Sequence, residues 1–369
     1  MAGRIVLFGA TGYTGRLTAE ALARRGGAPV LAGRNREKLL ELATQLGGLD
    51  TAVADVAAPE SVLRLVGDGD VLVTTVGPFA EWGEPAVRAA ISGRAAYLDS
   101  TGEPGFIRRV FEQWGPEAAA AGVGLVTAFG YDYVPGNLAG ALALRQASDA
   151  ATRVDVGYFV TGSGGPSSMS SGTVASMFGS GGGSGFAFRD GAIVDDRIAS
   201  SVRSFVVDGD TRDAIALGTS EHFTLPRLAP SVRDVGGYLG WFGALSRPVQ
   251  TIAAGAAAVQ HLPGVETALK ALMKAMPKPS PGTGPDAESR ARSGSHVVAV
   301  ASDASGQVLA EVHVAGVNGY TFTAEILAWG ALHAQQHGLD GAGALGPVEA
   351  FGLDALQDGC ASAGLSVVG

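Results

Sequence analysis

The chain is short of cations, of sulfur and of long uninterrupted apolar runs, and each shortage removes a class of function. It holds 26 Lys and Arg against 35 Asp and Glu, a formal charge of −9. Nucleic-acid binding draws on clustered cations that neutralise phosphates, so no nucleic-acid partner is expected. Lysine is scarcest, with 4 residues against 22 arginines, a bias that reads as the habit of a GC-rich genome rather than as arginine chemistry. The single cysteine, Cys360, rules out an internal disulfide and a thiolate zinc cage, and fits a reducing compartment. His333 and His337 stand four apart on a predicted helix without a third ligand nearby, so no metal is expected. Residues 156–188 carry no charge, yet Gly, Ser and Pro break them too often for a membrane span. No charged stretch with an apolar run and cleavage site precedes the strand-like residues that begin at Arg4, so a cytoplasmic location is the expectation.

What is plentiful is glycine, 56 residues, in a chain of 369 residues that is 46% hydrophobic. That length and composition suit two domains of ordinary size. Residues 4–8, 28–33, 50–55, 70–76, 95–99 and 122–128 read as strands, with helices near 13–25, 35–46, 59–66, 84–92 and 105–121 between them. Short apolar strands alternating with helices predict a Rossmann-type doubly wound parallel sheet in an α/β domain over residues 1–136. Beyond it the pattern changes. Residues 153–160 and 295–316 read as strands, the latter folded at "DASG" as a hairpin; a Gly/Ser-rich stretch (162–185) and an Ala-rich helical stretch (250–276) lie between. Residues 277–295, rich in Pro, Gly and Ser, read as a surface loop. These features predict an inserted α+β domain over 137–318, then C-terminal helices over 319–369 that pack back on the body.

The most informative stretch is "GATGYTG". Gly9, Gly12 and Gly15 follow the first strand and open the first helix, the setting a dinucleotide fingerprint requires. Gly9 permits the tight turn, Gly12 lets main chain approach a pyrophosphate, and Gly15 allows helix to pack closely on strand. Thr11, Tyr13 and Thr14 complete the turn, whose free N–H groups would face the phosphates. At the tip of the second strand, where an NAD enzyme places an acid for the ribose 2′-hydroxyl, the sequence reads "AGRNREKL". Arg34 stands there with a guanidinium suited to a 2′-phosphate, which predicts NADPH; a plain solvent-facing start of the next helix is the alternative. Asp55, followed by Val56, either accepts from an adenine amino group or caps a helix. Gly77 and Pro78 set a turn at the nicotinamide side of the cleft, where Phe79 either walls the ring or packs in the core. Gly102 ends the fifth strand on the same side, and Glu103 either orients the nicotinamide ribose or caps the helix after Pro104.

The order "GATGYTG", "AGR", "VGPF", "YLDSTGE" (97–103), "FGYDYVPGN" (129–137) and "SSGTVASM" (170–177) resembles the saccharopine dehydrogenase-like reductases, and within them the actinobacterial branch that includes trans-acting enoyl reductases. The resemblance runs over nearly the whole chain. It implies a Rossmann domain, an inserted mixed domain and returning C-terminal helices. It also implies a cofactor more securely than a substrate, because the family's enzymes differ in what they reduce. One departure stands out: a loop that often reads G-F-D-S-x-P-S-D in relatives reads "GYDYVPGN" here, with Tyr133 in place of a small Ser and Asn137 in place of an acid.

Reduction by hydride needs geometry from the protein and, for an enoyl substrate, a proton donor. Tyr131 and Tyr133, in the interdomain loop, and His222, in the second domain, are the candidate catalytic residues. For each tyrosine the alternative is a buried ring with its hydroxyl satisfied by main chain; for His222 it is a structural or exposed imidazole. No lysine lies four residues after a tyrosine, which argues against a short-chain ketoreductase. The uncharged Gly/Ser stretch favours an apolar or neutral substrate, whereas Arg189, Arg197, Arg203, Arg212, Arg227 and Arg233 keep an anionic one open. The leading expectation is an NADPH-dependent oxidoreductase acting on a C=C bond of a lipid- or polyketide-derived small molecule. Alternatives are imine (C=N) reduction of the saccharopine type and a non-catalytic NADP-binding regulatory protein. The reading leaves room for a carrier-tethered substrate and for a homodimer.

Overall fold

The computed structural model describes residues 3–162, 184–241, 246–248, 250–251 and 283–369. The stretch 170–177, and nearly all of 162–185 and 250–276, lie outside the described residues. In the first domain each expected apolar run forms a strand: β1 (Ile5–Phe8), β2 (Val30–Gly33), β3 (Thr51–Val53), β4 (Val71–Thr74), β5 (Ala96–Asp99) and β6 (Gly124–Val126). Every pairing among them is parallel. Leu7, Leu72, Val73, Leu98 and Leu125 are fully buried, because helices cover both faces and leave no side on which polar residues could alternate.

Those helices are α1 (Tyr13–Arg24), α2 (Arg36–Gln45), α3 (Pro59–Leu63), α4 (Phe79–Trp82), α5 (Glu84–Gly93), α6 (Pro104–Arg109) and α7 (Gly115–Ala121). The one helix expected over 105–121 is α6 and α7 joined by a π-helical turn, Val110–Trp114. Pro116 has no N–H to donate, so the regular ladder is interrupted where its turn begins. The one-turn α4 was not expected.

The chain builds β1, β2 and β3 outward in one direction, then crosses back and builds β4, β5 and β6 in the other. The crevice at the carboxyl ends of β1 and β4 is therefore the switch point at which doubly wound sheets bind ligands. From β6 the chain passes to the second sheet through α8 (Val134–Ala147), buried on nearly all sides. The expected boundary between 136 and 137 falls inside this helix, so no linker separates the two sheets there.

The second sheet contains β7 (Arg153–Gly162), β8 (Ser184–Arg189), β9 (Ala192–Arg197), β10 (Val202–Val207), β11 (Asp210–Ala216), β12 (Asp234–Leu239), β13 (Ser293–Ser302) and β14 (Val308–Val317). Helices α9 (Glu221–Leu228) and α10 (Ala287–Ala291) belong to the same region. The 295–316 hairpin forms as expected: the Asp303 carboxylate accepts from the N–H groups of Ser305 and Gln307 at 2.8 and 3.0 Å. Two further hairpins, β8–β9 and β10–β11, were not anticipated. They turn at Asp190-Gly191 and Asp208-Gly209, where all four residues have positive φ of 52 to 83°, the requirement that makes Asp-Gly a hairpin signal.

The tail continues as α11 (Gly319–His337), β15 (Gly343–Ala344), α12 (Pro347–Phe351), α13 (Leu353–Ser362) and β16 (Leu365–Val368). Helix α11 packs on α1, where Arg24 and Arg25 both pair with Glu325 at 2.6 and 2.9 Å. The tail adds more than helices: β15 joins β6 as the seventh strand of the first sheet, and β16 pairs with β14 in the second. Among the described residues no helix is long and apolar enough to cross a membrane.

Candidate functional site

The fingerprint residues line the β1–α1 turn. Gly9 has φ +91°, and its N–H donates to Ala32 O at 2.9 Å, so the turn bends tightly while remaining tied to β2. A Cβ on Gly15 would sit 2.1 Å from Gly9 O, so only glycine lets α1 start this close to the strand. Gly12 differs: a Cβ there would meet one atom within 4 Å, Gly9 O at 3.3 Å, and otherwise open space. The protein's own packing asks much less for this glycine than for Gly15, whereas a ligand lying against the main chain would require it. Gly12 is also the N-cap of α1, and among the described residues no side chain caps the helix. The turn thus fits a dinucleotide diphosphate on the two counts that matter, a bare backbone face and uncommitted helix-start donors.

Arg34 is exposed at the tip of β2 and makes no hydrogen bond or ion pair among the described residues. The start of α2 does not need it, because Asn35 is the N-cap and accepts from Lys38 N–H at 3.0 Å. Asp55, just past β3, directs Oδ1 to Ala57 N–H at 3.0 Å, a local turn, and Val56 beside it is half-buried. At the end of β4, Gly77 is exposed and Pro78 is the N-cap of α4. The Phe79 ring takes the core alternative, packed 5.4 Å from Phe106.

Glu103 corrects the sequence reading. It holds the N-cap position of the helix after Pro104 without capping it. Its buried carboxylate instead crosses to α4 and accepts from Phe79 N–H and Ala80 N–H at 2.7 and 2.8 Å. A one-turn helix starting at the ligand end of β4 leaves N–H groups unpaired in a buried place, and the glutamate from β5 satisfies them. Asp99 does similar work between strands. Its buried carboxylate accepts from Thr101 N–H, Ala128 N–H and the Thr127 hydroxyl at 2.8 to 2.9 Å, and burial outweighs those bonds to push it up to about 6.

The interdomain loop holds Tyr131 and Tyr133, and neither presents the exposed hydroxyl expected of it. Tyr131 is buried and donates to Phe159 O at 3.1 Å; Tyr133 is buried and donates to Gly102 O at 3.3 Å. Burial raises the pKa of both well beyond the usual phenol range. Asn137, flagged for replacing an acid, donates to Tyr133 O and Ser220 Oγ, both at 2.9 Å, and accepts from the Thr224 hydroxyl. A carboxylate could not make the two donations, so the amide locks the loop to α9. Glu221, beside it, is buried, pushed up to about 7 by desolvation and bonded to the Tyr158 hydroxyl.

His222 is also corrected. Burial lowers its pKa to about 4, and Nδ1 lies 3.1 Å from Thr219 N, O and Oγ1, so the imidazole stays neutral through the physiological range. The ring packs edge-on to Phe186 at 5.5 Å. It borders two hollows of 240 and 370 Å³ in the second domain, and neither includes a fingerprint residue or any residue of the 128–137 loop.

The residue that sequence reasoning missed lies between the two tyrosines. Asp132 is half-buried, but its Oδ1 is shut off from solvent and has no hydrogen-bond partner among the described residues, and desolvation alone pushes the carboxyl up to about 7. Its Oδ2 lies where a Cβ on Gly102 would come within 2.9 Å, so the carboxyl hangs over the ligand-side end of β5. Its sequence signal was a carboxylate shared with the quoted loop of relatives, overshadowed by the aromatic neighbours.

Residues 9–103 match the NAD(P)H-binding family, so the fingerprint belongs to an NAD(P)H-binding domain. The whole chain aligns with the whole of apo saccharopine dehydrogenase (L-Glu forming) from Saccharomyces cerevisiae, with a TM-score of 0.58 and 15% identity. The chain has the saccharopine dehydrogenase fold. Over 140 residues the chain is 39% identical to a trans-acting enoyl reductase of Mycobacterium leprae and 36% identical to one of Mycobacterium bovis. A Mycobacterium tuberculosis protein that carries the same name provisionally is 40% identical over the same length. The match covers 36% of this chain and spans about a third of each curated relative, 33 to 34%.

Proposed function

We propose that the protein is an NADPH-dependent oxidoreductase that reduces a C=C bond in a lipid- or polyketide-derived substrate, with Asp132 as proton donor. The observation that carries the catalytic part is the Asp132 carboxyl: half-buried, with Oδ1 shut off from solvent and unpartnered among the described residues, and pushed up to about 7, it can hold a proton at neutral pH where a surface aspartate could not. The fingerprint turn, Gly77, Pro78 and Gly102 would hold the cofactor along the carboxyl ends of β1, β4 and β5. Bound NADPH would supply hydride. The protein's part is to exclude water, to orient the reactants and to keep a proton on Asp132. The buried rings of Tyr131, Tyr133 and Tyr158 wall the loop, with centroids 5.5 and 5.7 Å from one another around Tyr158. They keep the dielectric near Asp132 low.

NADPH over NADH rests on Arg34, exposed at the β2 tip and unpaired among the described residues. A C=C substrate is supported by the name of the relatives matched over a third of their length, and by the second domain's arginines. Arg203 pairs with Asp155 and Arg189 with Asp196. Arg197, Arg212, Arg227 and Arg233 donate to main-chain carbonyls. Three of the six, Arg189, Arg203 and Arg227, are thus held in ion pairs, which leaves fewer guanidiniums to gather the several carboxylates of a saccharopine-type substrate. A carrier-tethered acyl chain fits this better.

The test follows NADPH oxidation against enoyl thioesters and imines, with binding of NADPH and NADH measured alongside. Turnover of an enoyl substrate is expected; turnover of imines alone would move the reading to C=N reduction, and tight binding without oxidation would leave a binding protein. Arg34→Ala should reduce the preference for NADPH by about tenfold or more, the worth of a charge-assisted hydrogen bond; an unchanged preference removes Arg34 from the 2′-phosphate.

A further inference from the structure

Part of the segment expected to be surface loop lies against the fingerprint. Gly284 lies under the Tyr13 ring so closely that a Cβ there would stand 2.7 Å from three ring carbons. The Tyr13 hydroxyl donates to Pro285 O. Arg290, on α10, donates Nη1 to that hydroxyl at 3.0 Å and to Pro285 O at 2.8 Å. From the other side Tyr320, at the start of α11, meets the Tyr13 ring edge-on at 5.4 Å. The first residue of the dinucleotide-binding helix is therefore clasped by the second domain and the tail.

The guanidinium in this clasp is not fully engaged. Among the described residues, only Nη1 of Arg290 makes a hydrogen bond, and Arg290 has no ion pair. The acids beside it are spoken for: Asp286 accepts from Ser289 N–H at 2.8 Å as cap of α10, and Glu288 pairs with Arg292. A half-buried arginine with Nε and Nη2 uncommitted and no ion pair among the described residues, tethered to the first residue of a helix whose N-cap is a glycine, is poised for a bidentate anion.

The geometry points to Arg290 as a second-domain ligand of the dinucleotide's diphosphate. This rests on the reading that the fingerprint turn binds a nicotinamide dinucleotide, and it separates two arginines by task. Arg34, at the β2 tip, serves the adenosine end and distinguishes NADPH from NADH. Arg290, at the start of α1, serves the part the two cofactors share.

Isothermal titration of the full chain with NADPH and with NADH tests this without turnover. Arg290→Gln is expected to weaken both about tenfold or more and leave their ratio unchanged. Arg290→Lys, which keeps the charge but loses the fork, should fall between Arg290→Gln and the parent. Tyr13→Phe, which frees the guanidinium from its tether, should weaken both cofactors several-fold. Parent-like affinity in Arg290→Gln, or in Arg290→Lys if the glutamine variant fails to fold, overturns the assignment, and so does a loss confined to NADPH. A parent that binds neither cofactor defeats the underlying reading instead, before any variant is made.

Discussion

An Asp132→Asn protein should be more stable than its parent at pH 8, with most of that gain gone by pH 4. The folded chain holds the Asp132 proton more tightly than the unfolded chain does, with the pKa raised from 3.8 to about 7 by burial. A carboxyl of this kind costs least below the ordinary aspartate range. Its cost grows as pH climbs from about 4 to 7 and levels off above, where the charged form must be buried in the fold but is solvated when unfolded. At about 1.4 kcal/mol per pH unit the full cost is about 4 kcal/mol, which relaxation around the site brings toward about 2. An asparagine carries no such charge, and its own unpartnered amide costs the same at every pH. The stability difference between variant and parent should therefore widen by about 2–4 kcal/mol between pH 4 and pH 8, read from urea unfolding by tryptophan fluorescence. Turnover in the same variant should fall by about a hundredfold or more, the usual worth of a positioned proton donor, with NADPH affinity unchanged. A difference that stays flat with pH would mean that the carboxyl is solvated or paired, and the proton-donor role would lose its basis.

Gly15→Ala would put a Cβ 2.1 Å from Gly9 O, so α1 must shift away from β1. Calorimetry should show loss of dinucleotide binding with a stability cost of about 1–3 kcal/mol, and parent-like affinity would contradict the close packing assigned to that glycine. Glu103→Ala leaves the N–H groups of Phe79 and Ala80 unpaired at the start of α4, a loss of about 2–3 kcal/mol in thermal or urea melts. Glu103→Gln, which retains one acceptor oxygen, should recover part of it; no loss in the alanine variant would refute the cap.

The first sheet was legible because its strands are buried on both faces, and burial on both faces writes a short continuous apolar run into the sequence. "RIVLF" and "DVLVTTV" need no partner to be recognised, and glycines at their ends mark the turns. The second sheet was less legible for the opposite reason. Its strands carry charge on a solvent face, as in "AIVDDR" and "DTRDAIA", so they lack apolar runs, and the stronger cue was the Asp-Gly pairs at 190–191 and 208–209. Alternation plus a turn signal would have found those hairpins. Strand β15, two residues long, writes no pattern of its own. Its place is set by β6, whose outer edge it covers.

The site divides along the same line. A turn made of main chain can be read from spacing, because Gly9, Gly12 and Gly15 act through the side chains they lack, and absence is visible in a sequence. Proton chemistry cannot be read this way. Tyr131, Tyr133 and His222 attracted attention as residue types, yet what decides their use is which groups lie around them: Phe159 O and Gly102 O take the two hydroxyls, and burial among second-domain side chains keeps the imidazole neutral. Burial acts in the opposite sense on Asp132, since removing water raises a carboxyl toward neutrality while it pushes a phenol further from it and an imidazole below it. One loop therefore moves its aromatic members away from neutral titration and its acid toward it. That inversion depends on the convergence of β5, α8 and the second domain, which no local stretch of sequence encodes.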